Sequence, residues 1–154
     1  MLDLYDELKT LLQTLDEQGT SYALCGGLAM AVWGKPRATV DIDLMVPADS
    51  VEAATGAARR CGYVFDTEPM TFAGGAVRIR RLTKKDPDSE DVLSIDFLMV
   101  TPELTDVWQG RERVSWEAGQ LWVVSRAGMI RLKTLRGSGQ DRADIEALTD
   151  EDPT

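Results

Sequence analysis

The sequence contains no histidine. That one absence removes imidazole acid–base catalysis, serine and cysteine triads, and the usual zinc hydrolase centres. Chemistry in this chain must come from carboxylates, lysine, arginine, backbone groups or a metal held by oxygen. Cysteine is scarce as well: Cys25 and Cys61 stand far apart, without metal-like spacing, and read as buried, reduced thiols. No run of about 18 apolar residues exists, so no membrane contact is expected. The opening Met1-Leu2-Asp3-Leu4-Tyr5-Asp6-Glu7 is acidic and lacks the basic and apolar regions of a secretion signal, so a cytoplasmic location is expected. Positive charge is in the minority, with 17 Lys and Arg against 26 Asp and Glu and a net charge of −9. That balance argues against a chain that coats nucleic acid through a general positive field.

What is present describes one globular unit. A length of 154 residues, 44% hydrophobic and 28% charged, suits one domain with a single core. Neither an internal repeat nor a linker divides it, so residues 1–149 are read as one α/β domain and 150–154 as a loose acidic tail.

Leu4, Leu8, Leu11, Leu12 and Leu15 recur at helical spacing, which predicts a helix over 3–18 capped by Asp3 and ended by Gly19. A short strand over 20–25 follows. Gly26-Gly27 then forms a turn before a helix over 28–33. Residues 38–46 alternate, with Val40, Ile42 and Leu44 on one face and Thr39, Asp41 and Asp43 on the other. An alanine-rich helix is expected over 48–61, capped by Asp49 or Ser50 and stopped by Gly62, then a short strand over 63–65 and a further strand within 72–82. The strand over 92–100 sets Leu93, Ile95, Phe97 and Met99 against Ser94, Asp96 and Leu98, so an acid interrupts an apolar face. A helix over 102–108, a hairpin over 111–124 and helices over 125–136 and 140–148 complete the expectation of a mixed β-sheet flanked by α-helices.

Because strand side chains alternate with a period of two, Asp41 and Asp43 leave the same face about 6.6 Å apart. Two like charges facing a semi-buried site raise each other's proton affinity unless a divalent cation compensates. Hard oxygen ligands without imidazole or thiolate suit Mg²⁺ or Mn²⁺, and magnesium completes its shell with water and phosphate oxygens, for which an NTP is the obvious source. With Asp96 on an adjacent strand facing the same way, two metals about 3.5–4 Å apart fit between the acids. Gly26 and Gly27 supply a turn without Cβ atoms where backbone N–H groups approach phosphate.

The competing reading makes these acids solvent-facing residues of two half-exposed strands, and the glycines an ordinary turn. Three acids that match one metal arrangement, in this order behind a glycine turn, favour the catalytic reading. Lys133 and Arg136 also suit the C-terminal end of their helix. Arg78, Arg80, Arg81, Lys84 and Lys85 read as a solvated edge and loop, with a nucleic-acid acceptor as the alternative. Trp33, Trp108, Trp116 and Trp122 read as core or interface, and Asp141 and Asp144 as structural.

The residues together resemble a family. Gly26-Gly27-Leu28-Ala29, then Arg37-x-Thr39-x-Asp41-Ile42-Asp43-Leu44, Ser94-Ile95-Asp96-Phe97, and Lys133 before Gln140-Asp141-Arg142-Ala143-Asp144-Ile145, are similar to the DNA polymerase β-like nucleotidyltransferase superfamily, especially its abortive-infection (AbiEii) toxin-like branch. The resemblance implies that Asp41 and Asp43 bind both metals, and that Asp96 binds one and helps deprotonate an acceptor hydroxyl. It implies transfer of NMP from an NTP such as ATP with release of pyrophosphate. Arg37 and Lys133 are implied as triphosphate contacts, and Thr39 belongs to the same nucleotide-binding motif. Gln140 stands where many relatives carry lysine, and the chain has little room for the helical substrate domain of larger antibiotic-modifying members. Resemblance to the toxin-like relatives implies RNA such as tRNA, or protein, as the expected acceptor, with a cognate antitoxin as partner. The alternatives are a small-molecule nucleotidyltransferase, a non-catalytic nucleotide-binding or antitoxin-like module, and a metal nuclease on the same acids.

Overall fold

Helix α1 (Leu4–Glu17) starts where the Asp3 carboxylate accepts a hydrogen bond from the Asp6 backbone N–H, and buries Leu8, Leu11, Leu12 and Leu15. The computed structural model describes residues 1–36 and 38–149. The acidic tail expected over 150–154, and Arg37, lie outside the described residues.

Strand β1 (Ala23–Cys25) leads directly into α2 (Gly26–Val32), then β2 (Asp41–Pro47), α3 (Val51–Arg60), β3 (Phe65–Asp66), β4 (Met70–Phe72), β5 (Val77–Lys85) and β6 (Val92–Val100). The chain continues with α4 (Thr105–Gln109), the hairpin β7 (Glu112–Trp116) and β8 (Gly119–Val123), α5 (Arg126–Arg136) and α6 (Gly139–Thr149). Among the described residues the strands form one mixed sheet in the order β3-β5-β6-β2-β1-β8-β7, with β4 also on β5. Its centre is β2, antiparallel to β1 and parallel to β6.

The two faces of the sheet differ in chemistry. Ile42, Leu44, Ile95 and Phe97 are fully buried on one, where α1 and α3 pack. The other carries Asp41, Asp43 and Asp96, with α5 set over Asp43 and Leu98. One core therefore lies on one side of the sheet and a cleft opens on the other.

Several features differ from the sequence reading. β2 begins at Asp41, where pairing with Ser94 of β6 begins, so Val40 leaves the buried face and is 69% exposed. The strand expected within 72–82 is β5, which runs on to Lys85, and a one-turn 3₁₀ segment, Ala73–Gly75, in which Ala73 and Gly74 have positive φ, separates it from β4. The helices over 48–61 and 102–108 each open with a 3₁₀ turn. Neither Asp49 nor Ser50 makes a side-chain cap at α3. Cys25 is buried, but Cys61 is only partly so. The four tryptophans pack against the core, and the Trp33 indole N–H donates to the Val124 carbonyl at 2.9 Å.

Candidate active site

Parallel pairing of β2 with β6 puts Asp43 directly opposite Asp96, and Asp41 opposite Ser94. Neighbouring strands lie about 4.8 Å apart, and partners in register share a face. The three carboxylates predicted from the sequence therefore converge on one patch. Asp96 is almost fully buried, whereas Asp41 and Asp43 are partly buried at the cleft.

The glycine turn belongs to the same patch, in a way the sequence did not reveal. Cys25 pairs with Asp43 across β1 and β2, so the next residue, Gly26, lies against the Asp43 side chain. A Cβ on Gly26 would sit 2.6 Å from the Asp43 carboxyl carbon, and one on Gly27 would sit 2.8 Å from the Thr39 hydroxyl oxygen. Gly26 also has φ +66°, which favours glycine. The room left by the missing Cβ atoms is thus filled by the site's own side chains, and Gly26-Gly27 forms the first turn of α2 instead of preceding it. Cys25 provides no side-chain cap for that turn. Thr39 is held beside it, its hydroxyl donating to the Asp41 carbonyl at 3.4 Å.

Electrostatics mark the pair on β2. Burial, then the charges of Asp96 and Asp41, push the Asp43 carboxyl up to about 7. Burial also raises Asp41, against the pull of Arg81. Among the described residues no hydrogen bond or ion pair reaches either carboxylate. Asp96 is treated differently. Arg81, opposite it on β5, donates from Nε to Oδ1 at 2.7 Å and from Nη2 to Oδ2 at 2.8 Å.

The acids suit a hard cation by donor type and by shared face, and burial with the like charges of Asp96 and Asp41 outweighs the pull of Arg136 and Lys133 on Asp43. As they stand, the described residues form no closed three-ligand cluster, since Asp96 is turned onto Arg81.

Lys133 lines the same cleft, with Cys25, Gly26, Asp43, Met129 and Arg136. Its ammonium is already engaged. Nζ donates to Asp144 Oδ2 at 2.9 Å and lies 4.0 Å from Asp141, while Gln140 donates to the other Asp144 oxygen at 2.8 Å. Lys133 is thus a buried tie between α5 and α6 at the wall of the cleft. Gln140 supports this tie. At the start of α6 the Ser138 hydroxyl donates to the Asp141 carboxylate at 2.6 Å and accepts from the Asp141 backbone N–H at 3.0 Å, giving Asp141 a capping role.

The basic run on β5 is divided by strand alternation. Arg80 reaches Asp66 and Glu52 on the face away from the acids, and Lys84 pairs with Glu7. Lys85 lies over the Phe65 ring at 4.9 Å, and Arg81 enters the acid patch. Composition grouped these cations as an edge. Period two separates Arg81 from Arg80, but only the pairing of β5 with β6 shows which acid it meets.

No protein-family model matches the chain, and no curated sequence relative is detected. Solved structures do match its shape. The antibiotic-resistance factor ANT(2'')-Ia aligns with a TM-score of 0.64 at 13% identity, over 96% of this chain and 84% of its own. A Thermotoga maritima protein provisionally described as a nucleotidyltransferase aligns at 0.61 and 12% identity, over 91% and 88%. The lincosamide antibiotic adenylyltransferase LnuA, solved with lincomycin bound, aligns at 0.54 and 16% identity, over 94% and 96%. The chain has the fold of these nucleotidyltransferases: one small domain built on a mixed sheet flanked by helices.

Proposed function

We propose that this chain is a metal-dependent nucleotidyltransferase that moves NMP from an NTP to a hydroxyl acceptor. The observation that carries the reading is the β2–β6 register, which sets Asp43 beside Asp96 with Asp41 two residues away on the same face. Asp41, Asp43 and Asp96 would hold Mg²⁺ or Mn²⁺. Such a cation, when bound, neutralises charge on the phosphates and on the leaving pyrophosphate. The uncapped first turn of α2, at Gly26-Gly27, offers backbone N–H groups to the phosphate tail, and Thr39 lies beside it. Arg37 and Lys133 complete the proposed phosphate contacts. For Lys133 this requires the nucleotide to share the ammonium with Asp144.

In the transfer, the acceptor O–H gives its proton to Asp96. The acceptor oxygen bonds the α-phosphorus as the α–β P–O bond breaks, and the electron pair of that bond leaves with pyrophosphate. Holding these groups in line supplies most of the acceleration, because the protein contributes position and charge instead of covalent chemistry.

RNA such as tRNA, or protein, is the favoured acceptor, within a toxin-antitoxin arrangement of the AbiEii kind and with a cognate antitoxin in the same compartment. A second reading, a small-molecule acceptor of the antibiotic type, gains support from LnuA. LnuA is matched over 96% of its length and described as an antibiotic adenylyltransferase, so a chain this short is compatible with such an acceptor. A non-catalytic nucleotide-binding module is separated from both by pyrophosphate release.

The test incubates the protein with each labelled NTP, Mg²⁺ and cell extract, then follows label into RNA, protein and small-molecule fractions. Transfer is expected in one fraction and absent with Asp41→Asn or Asp43→Asn, both variants keeping the wild-type circular dichroism spectrum. Wild-type transfer by both variants overturns the assignment.

A further inference from the structure

Arg81 stands in a different position from the other cations of its strand. Arg80, Lys84 and Lys85 are turned to surface acids, Glu7 and aromatic rings, whereas Arg81 is directed into the acid patch. Its guanidinium meets Asp96 as a fork, with bonds of 2.7 and 2.8 Å to the two carboxylate oxygens. That geometry fixes the plane of a carboxylate as well as its charge. The Asp96 side chain is 8% exposed while that of Arg81 is 38% exposed, so the pair runs from the buried sheet toward solvent.

Asp96 has neighbours on both sides in the sheet, Arg81 on β5 and Asp43 on β2. A carboxylate has about four acceptor sites, and the fork occupies two of them. We infer that Arg81 is a positioning residue that acts through Asp96: it fixes the third carboxylate from the β5 side, leaves the side toward Asp43 open for a divalent cation, and cancels one of the three negative charges.

The inference rests on the metal-binding reading of the acids and adds a separable consequence. With Arg81 in place the patch carries two net negative charges when all three acids are ionised. Without it the patch carries three, so a cation binds more tightly while the carboxylate loses its fixed plane. Charge and orientation therefore separate in two variants. Arg81→Gln removes the charge. Arg81→Lys keeps the charge and loses the fork.

The experiment titrates nucleotide-free full-length protein with Mn²⁺ and reads free Mn²⁺ by electron paramagnetic resonance, with thermal unfolding followed in parallel. Arg81→Gln is expected to bind Mn²⁺ about tenfold more tightly than wild type, from the Coulomb energy of one charge at close range. Arg81→Lys is expected to bind within about threefold of wild type, and labelled NMP transfer should fall about tenfold or more in both variants. A clamp that serves only the fold predicts the opposite sign, with Mn²⁺ binding weakened together with the unfolding midpoint. Mn²⁺ binding by Arg81→Gln that is unchanged or weaker overturns the inference. Asp43→Asn separates the two levels: if wild-type Mn²⁺ binding does not depend on Asp43, the metal reading itself fails and takes this inference with it.

Discussion

Gly26 lies against Asp43 so closely that a methyl group on Gly26 would stand 2.6 Å from the carboxyl carbon. The contact joins the first turn of α2 to the acidic strand, and it has no slack. Gly26→Ala meets two costs, a left-handed φ of +66° and displacement of the Asp43 side chain. A loss of about 1–3 kcal/mol in urea unfolding is expected, with near-complete loss of transfer. Wild-type transfer in Gly26→Ala would show that the Asp43 position is not critical.

The proton affinity of Asp43 makes stability depend on pH. Its carboxyl is raised from 3.8 to about 7 by burial and the neighbouring acids, so between those values the folded state holds more protons than the unfolded state. Stability from this group is full below about pH 4 and is lost as pH rises through 7. Asp43→Asn removes the penalty. In chelator, Asp43→Asn is expected to be more stable than wild type at pH 8, by on the order of 2–4 kcal/mol, with the difference shrinking toward pH 4. Denaturant titrations at a series of pH values read the trend, and a difference independent of pH would refute the assigned cause.

The buried Lys133–Asp144 pair predicts an effect on the fold of the nucleotide-free protein. Lys133→Met leaves the carboxylates of Asp144 and Asp141 without the ammonium that lies 2.9 and 4.0 Å from them. Removing one partner of a buried pair typically costs about 3–5 kcal/mol, because the remaining charge stays buried. Urea unfolding without nucleotide is the measurement. An unchanged midpoint would mean that Lys133 serves the phosphate tail alone.

Much of the site was legible in the sequence because its signals are local. Strand alternation alone puts Asp41 and Asp43 on one face, and the same rule isolates Asp96 among apolar neighbours over 92–100, a span that β6 matches at both ends. Asp3 as the cap of α1 follows from the same short-range chemistry. The start of β2 was less legible, because Val40 alternates correctly but the paired register begins at Asp41. A strand ends where its own ladder of pairing ends, whatever its pattern allows.

By itself the sequence determined the residue types available for chemistry, the shared face of Asp41 and Asp43, and most of the helices and strands. These depend on side chains a few positions apart. Tertiary structure alone decided that Asp43 faces Asp96, that Arg81 rather than its basic neighbours meets the third acid, and that Lys133 is tied to Asp144 at the cleft wall. Those relationships depend on register between strands and on the packing of one helix against another. Both are set by burial of the whole core, which no local spacing encodes.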